Sequence, residues 1–192
     1  NFAAVQNVLP AARWPLALGG HIPLHERLTY GSTVTTRFEQ AAAIPEVFLT
    51  ALAAKTERIR IGFGIRQVIP NYNHPSRTAE AVAMLDLVSN GRVEFGIGEG
   101  ATRLELHGYG IDAKRKQAIS FEAAEQIANM MVMEPYPGYE GRSFKFPCRN
   151  VVPKPVQKPH PPMWMACTNR DTIKVAAGKG VGALAFSFVV SE

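Results

Sequence analysis

Glycines at positions 96, 98 and 100 occupy every second residue of GRVEFGIGEG, and Gly96-x-Gly98-x-x-Ala101 matches the looser form of a dinucleotide-binding fingerprint. That chemistry needs a helix to open directly after the strand, so that its first amides meet a pyrophosphate. The following ATRLELHGYGID carries two glycines within a few residues and predicts no such helix. The structural alternative is that the glycines allow close packing inside a barrel. His21 and His25 lie four apart beside Glu26, as metal ligands could, but Pro23 between them prevents a regular helical turn from aligning both rings. No metal site is expected. The two cysteines, Cys148 and Cys167, fit neither a disulfide framework nor a Cys-x-x-Cys site. Cys167 has no identifiable histidine partner to make it a nucleophile, and its expected part is a small residue lining a pocket at a strand end.

Elements alternate along the chain. In RIRIGFGI, Ile59, Ile61, Phe63 and Ile65 alternate with Arg58, Arg60, Gly62 and Gly64, a period of two that predicts a strand. PEVFLTALAAKT before it starts with Pro45 and is rich in helix formers. HPSRTAEAVAMLDLVSNG after it has Pro75 near its start, Val82, Leu85 and Val88 at helical spacing, and Gly91 as its stop. The glycine stretch then reads as a strand with Val93, Phe95 and Ile97 on one face and Glu94, Gly96 and Gly98 on the other. A helix from about Gln117 to Met133, a Pro- and Gly-rich excursion over 135–162, a strand PMWMAC, a helix RDTIKVAAGKG and a strand VGALAFSF follow. WPLALGG reads as one further strand and LTYGSTVTTRFEQ as a loop; residues 1–43 otherwise show little periodicity.

This alternation predicts a parallel α/β sheet, either doubly wound or a (β/α)8 TIM barrel. A doubly wound sheet buries both faces under helices, whereas these strands are apolar on one face and carry glycine and charge on the other. A barrel accounts for that asymmetry, with the second face turned to a closed interior. Eight repeats usually need ~250 residues. The 192 residues therefore predict an incomplete or gapped single barrel domain.

Composition bounds the function. With 46% apolar and 19% charged residues the chain reads as one globular domain with a sizeable core. A net charge of +5 suits anionic ligands, but the basic residues are spread out, without the clustering or aromatic interleaving of a nucleic-acid surface. No stretch approaches the ~20 continuous apolar residues that span a bilayer. The expectation is a soluble, cytoplasmic protein.

HPSRTAEAVAMLDLVSNGRVEFGIGEG resembles the third and fourth strands of the bacterial luciferase-like flavin-dependent monooxygenases at His74, Pro75, Ala79, Glu80, Leu85, Asp86, Ser89, Gly91, Arg92, Phe95, Gly96 and Gly98. The likeness runs from about Ile44 to Phe188 and includes PPMWMACTNRDTIKVAAGKGVGALAF, similar to the family's phosphate-binding turn and next strand. It implies a (β/α)8 barrel that binds reduced FMN, or in one branch a deazaflavin, at the C-terminal ends of its strands. Gly64 and Gly98 would then lie near the isoalloxazine ring, and Thr168, Asn169, Arg170 and Thr172 around the phosphate, with Arg115 a further phosphate candidate. Hydroxyls, helix-start amides and a guanidinium suit that anion. Capping of a helix by Thr168 or Asn169 is the structural alternative.

The resemblance implies oxygenation of an organic substrate with O2 and reduced FMN from a separate flavin reductase, by a homo-oligomer, a dimer being the implied state. Alternatives are a deazaflavin-dependent oxidoreductase, or a flavin-binding protein without turnover. Two departures stand out. Glu99 occupies a place where luciferases often hold the phosphate with arginine, and the family's Glu-His-His has no counterpart before Pro45. Asp86, Glu80 and Arg92 are expected to have structural roles, and the excursion over 135–162 to form a wall of the pocket.

Overall fold

The computed structural model describes residues 45–185. The expected strand WPLALGG, the loop LTYGSTVTTRFEQ and the His21, His25, Glu26 group lie outside the described residues. Helix α1 spans Pro45–Lys55, strand β1 Ile61–Gln67, α2 Pro75–Val88, β2 Val93–Gly98, α3 Arg103–Gly108 and α4 Lys116–Val132. A short hairpin, β3 Tyr139–Glu140 and β4 Lys145–Phe146, precedes β5 Met163–Cys167, α5 Arg170–Gly178 and β6 Gly182–Ala185.

Four parallel strands form one sheet in the order β1-β2-β5-β6. Each long strand lies beside the next long strand in the chain, with no reversal of order. A doubly wound sheet reverses at its switch point; sequential addition through helical crossovers is the arrangement of a (β/α)8 barrel.

The helix-facing layer follows from alternation. Ile61, Phe63, Val93, Phe95 and Ile97 are all buried against α2 and α4, whose Val82, Leu85, Ile127, Met130 and Met131 complete the core. Full burial of each large side chain is worth roughly 1.5–3 kcal/mol, and the Phe63 and Phe95 rings meet edge to face at 6.1 Å. Cys167 belongs to this layer, 2% exposed among core residues. It faces the helices and does not line a pocket, because it sits one residue out of phase with the inward-facing Ala166.

Local signals set the helix ends. His74 caps α2 by accepting from the Ser76 amide at 3.2 Å, with Pro75 at the first turn. Asn90 and Gly91 adopt left-handed φ of 55° and 75° and stop that helix. Val88, expected on its buried stripe, is 43% exposed, whereas Asp86 and Ser89 are fully buried. The Asp86 carboxylate accepts from the amide and the side chain of Gln157, at 2.9 and 2.8 Å. Arg92 donates to the carbonyls of Ala53, Thr56, Ile59 and Ser89, tying the end of α1 to the entry of β2. Both are structural, as expected from the sequence.

The excursion over 135–162 covers the outside of the helical layer. Tyr136 donates to Gln126 of α4 at 2.8 Å, Tyr139 and Ser143 donate to Glu122 of α4, and Lys154 donates to the Met130 and Met133 carbonyls at its end. The expected wall over the strand ends is therefore replaced by a brace on α2 and α4. Its aromatic residues find their apolar and hydrogen-bonding partners there.

Candidate functional site

The C-terminal ends of β1, β2 and β5 lie side by side, which in this architecture is where ligand sites form. The inward row at this level is Gln67, Gly98, Ala166 and Leu184, by the registers Gln67↔Gly98, Ile97↔Met165 and Ala166↔Leu184. One row deeper, Gly96 stands beside Trp164, which stands beside Gly182. Trp164 extends over Gly182, and its indole donates to Glu94 at 2.7 Å. Arg60 pairs with the same carboxylate. A large ring between two glycines forms a floor, and Glu94 holds that ring in place.

Strand β1 does not keep its expected alternation to the end. The register shifts between Phe63 and Arg66, so Gly64 and Ile65 form an irregularity. Beyond it Arg66 is buried in the helix-facing layer, where it pairs with Glu46 and stands 5.7 Å from the Phe63 ring centroid. Ile65, expected on that layer, turns to the inner face and lies over Gly98.

The glycines answer different demands. A Cβ at Gly96 would run into the Phe63 carbonyl oxygen and stand 3.0 Å from Leu184 Cδ1. A Cβ at Gly98 would fall within 2.8 Å of Ile65 Cγ1. Gly98 thus makes room for a neighbouring side chain, and a planar group above it would meet Ile65. Gly64 is half-buried within the irregularity. Gly100 has φ 78°, with the Tyr72 hydroxyl 2.6 Å from where its Cβ would be. Since α3 begins only at Arg103, is six residues long and is capped by Thr102 at 3.2 Å, the dinucleotide geometry is not formed.

At the head of β5, Thr168, Asn169 and Arg170 are exposed and Thr172 is half-buried. Asn169 caps α5: its Oδ1 accepts from the Thr172 amide at 3.0 Å, and the Thr172 hydroxyl accepts from the Asn169 amide at 3.3 Å. Those two side chains complete a capping box. Thr168 and Arg170 make no side-chain hydrogen bond among the described residues, which leaves a hydroxyl, a guanidinium and the first amides of α5 facing out.

Arg115 is exposed at the start of α4 without a side-chain capping bond. The cation that reaches the strand end is its neighbour Lys116, whose ammonium donates to the Gly100 carbonyl at 2.8 Å and pairs with Glu99 at 3.1 Å. Glu99 is therefore partnered by a lysine. Sequence reasoning missed Lys116 and Gln67. The first stands next to Arg115 in a basic run, where spacing cannot choose between neighbours; the second fell outside a strand read as ending at Ile65.

Three buried polar atoms near these ends lack a hydrogen-bond partner among the described residues: Gln67 Nε2, Tyr72 Oη and Glu105 Oε2. Burial, with the Glu105 carboxylate and Tyr109 adding to it, pushes the Tyr72 phenol up to about 12. The strand ends thus combine small inward residues, apolar Ile65 and Leu184, unpaired polar groups and an anion-compatible helix start. These features fit a planar ring bearing a phosphate. A separate cleft of about 590 Å³ lies along the β3–β4 hairpin, lined by residues such as Gly138, Phe146 and Cys148, and offers no comparable set of groups. No group of three or more potential metal ligands occurs among the described residues, and no described helix is long and apolar enough to cross a membrane.

Residues 21–191 match the model of a family described as luciferase-like monooxygenase. The oxygenase component of a flavin-dependent trigonelline monooxygenase from Acinetobacter baylyi is 32% identical over 140 residues, which are 71% of this chain and 37% of that protein. A type II Baeyer-Villiger monooxygenase, the oxygenating constituent of 3,6-diketocamphane monooxygenase from Pseudomonas putida solved with FMN, superimposes with a TM-score of 0.67 at 18% identity, covering 81% of this chain and 45% of that one. The coenzyme F420-dependent tetrahydromethanopterin reductase of Methanopyrus kandleri gives 0.59 at 24% identity, covering 73% and 43%. The chain spans well under half the length of the curated relatives it matches. The architecture is that of luciferase-like TIM barrels, of which the described sheet forms part.

Proposed function

The chain belongs to the luciferase-like monooxygenase family, and on that premise we propose that it is an oxygenase that uses reduced FMN and O2 to oxygenate a small organic molecule. Bound at the strand ends, the reduced flavin would supply the electrons that activate O2. A separate reductase would deliver it, as the name of the trigonelline relative's oxygenase component suggests.

The observation that carries the reading is the exposed turn Thr168-Asn169-Arg170 where β5 passes into α5. The Thr168 hydroxyl, the Arg170 guanidinium and the first amides of α5 would hold the phosphate. Lys116 would add charge from the end of β2. Ala166, Leu184 and Ile65 would face the ring and exclude water, which strengthens each polar contact made there. Gly64 lies in the β1 irregularity beside that face. The exposed Val47, Phe48, Met84 and Leu87 of α1 and α2 support a homodimer.

Hydride transfer with a deazaflavin is the second reading. Glu99 beside Lys116 favours it, because it lowers the positive charge available to a phosphomonoester dianion. Titration of the full-length protein with reduced FMN, reduced riboflavin and a reduced deazaflavin separates the two. Replacing both Thr168 and Arg170 with alanine is expected to weaken FMN roughly ten- to hundredfold while leaving riboflavin nearly unchanged, since one hydrogen bond to a charged group is worth ~1.5–3 kcal/mol and solvent screening holds the exposed pair to about that total. Equal losses for the two ligands would remove the phosphate assignment.

A further inference from the structure

Helix α3 and the turns on either side of it are held to the rest of the molecule by little. Of residues 101–110 only Leu106 is buried, and it packs with Ile69 and Ile111 in a small cluster separate from the main core. Two further ties reach the segment: the Tyr72 and Tyr109 rings meet edge-on, with centroids 4.7 Å apart, and the Asn71 side-chain amide donates to the Tyr109 carbonyl at 2.9 Å. Glycines in the left-handed region stand at both its ends, Gly100 at φ 78° and Gly110 at φ 63°. The base is pinned, because Lys116 pairs with Glu99 at 3.1 Å and donates to the Gly100 carbonyl at 2.8 Å. A short helix between two glycines, above a fixed base, can swing as a unit.

The contact that shuts it is poorly satisfied. Five buried side-chain polar atoms lack a hydrogen-bond partner among the described residues, and three of them, Gln67 Nε2, Tyr72 Oη and Glu105 Oε2, belong to this segment and to the end of β1 and the loop against which it rests. Tyr72 Oη stands 2.6 Å and Gln67 Nε2 3.4 Å from where a Cβ of Gly100 would be, so the hydroxyl itself fills the space beside that glycine. Burial and, after it, the Glu105 carboxylate push the Tyr72 phenol up to about 12. Each of the three atoms gives up water in the shut position and gains no partner, which opposes the apolar gain from Leu106 and Ile111.

We propose that residues 100–110 form a hinged gate over the C-terminal ends of β1 and β2, shut in this structure and opening about Gly100 and Gly110. Opening returns the three polar atoms to water and gives up only a small apolar cluster, so the shut position is weakly favoured in the free protein. The motion belongs to the chain alone. Its use, admitting a flavin-type ring and then closing water out, rests on the flavin reading above.

Amide hydrogen exchange in the full-length protein reads the opening directly. The Leu106, Tyr109 and Ile111 amides, bonded to the carbonyls of Thr102, Glu105 and Leu106, should exchange at least roughly tenfold faster than amides in the middle of α2 and β2. Tyr72→Phe and Gln67→Met each remove one orphaned group from the shut position and should slow those three amides roughly three- to tenfold, with α2 unchanged. Gly110→Ala should speed them, because the added Cβ meets nothing within 4 Å yet disfavours the φ of 63°. Saturation with reduced riboflavin should slow them roughly tenfold or more. Simple fraying of α3 would be indifferent to Tyr72 and Gln67, so exchange that neither variant slows, or exchange as slow as that of α2, overturns the gate. Riboflavin bound with the three amides unchanged also overturns it and leaves the flavin reading standing. If the protein binds neither riboflavin nor FMN, the flavin reading falls, and exchange in the free protein and its variants decides the hinge by itself.

Discussion

Replacing Gly96 with alanine should be among the most costly single-methyl additions in this sheet. The new Cβ would overlap the Phe63 carbonyl oxygen and sit 3.0 Å from Leu184 Cδ1. The oxygen belongs to the backbone of a paired strand, so relief requires β1 and β2 to move apart where Phe63 is in register with Phe95. Overpacking by a methylene typically costs ~1–3 kcal/mol, and a fixed backbone obstacle places Gly96→Ala at about 3 kcal/mol. For a chain of this size that is a fall in Tm of roughly 6–12 °C. Gly98→Ala meets the side chain of Ile65, which can turn aside, and should cost only about 1 kcal/mol. Adding Ile65→Ala to Gly98→Ala should recover the steric part, giving a coupling of roughly 0.5–1 kcal/mol in a double-mutant cycle. Urea and thermal unfolding of the full-length protein measure all three. A Gly96→Ala variant within about 0.5 kcal/mol of the parent, or one more stable than Gly98→Ala, would refute the packing argument.

Two other perturbations read different parts of the molecule. Burial alone would raise the Glu122 carboxyl, but the Ser143 hydroxyl and amide, the Tyr139 phenol and the Arg142 amide outweigh it and hold the group below its ordinary 4.5. A depressed carboxyl contributes stability above its unfolded value and loses that contribution as pH falls through the folded one. Glu122→Gln should therefore flatten the loss of stability between neutral pH and the acid side of 4.5, as followed by urea midpoints; an unchanged slope would count against the carboxylate's role in the brace. Glu99→Gln should tighten reduced FMN roughly three- to tenfold by freeing Lys116, with riboflavin unaffected and the gain shrinking at high salt. Equal changes for FMN and riboflavin would show that the charge does not act on the phosphate.

The sequence makes the regular parts of the molecule legible where local pattern and tertiary demand agree. The alternation in VEFGIG places Val93, Phe95 and Ile97 on the helix side, as observed. Pro75, Gly91 and the Asn169 to Thr172 spacing mark helix ends directly. Legibility stops where one residue is decided by distant partners. Nothing in IRIGFGIRQ says that the period breaks after Phe63; the break brings Arg66 to Glu46 of α1, from twenty residues earlier in the chain. The hairpin strands are two residues each, too short to show a period, and they depend on the long-range bonds to Glu122. The candidate phosphate turn was visible by resemblance, but whether Arg115 or Lys116 turns toward β2 depends on the phase of α4 against the strand end.

The extra residue in β1 decides what the outer half of that strand offers to either side. Were the same residues to alternate without a break past Phe63, the guanidinium of Arg66 would point toward the cavity and the amide of Gln67 in among the helices. Deletion of Ile65, by contrast, would leave Arg66 level with Ile97 and Gln67 level with Gly98 and take away only the side chain that lies over Gly98. Loss of one residue here would thus uncover Gly98 while the guanidinium and the amide keep their sides of the sheet.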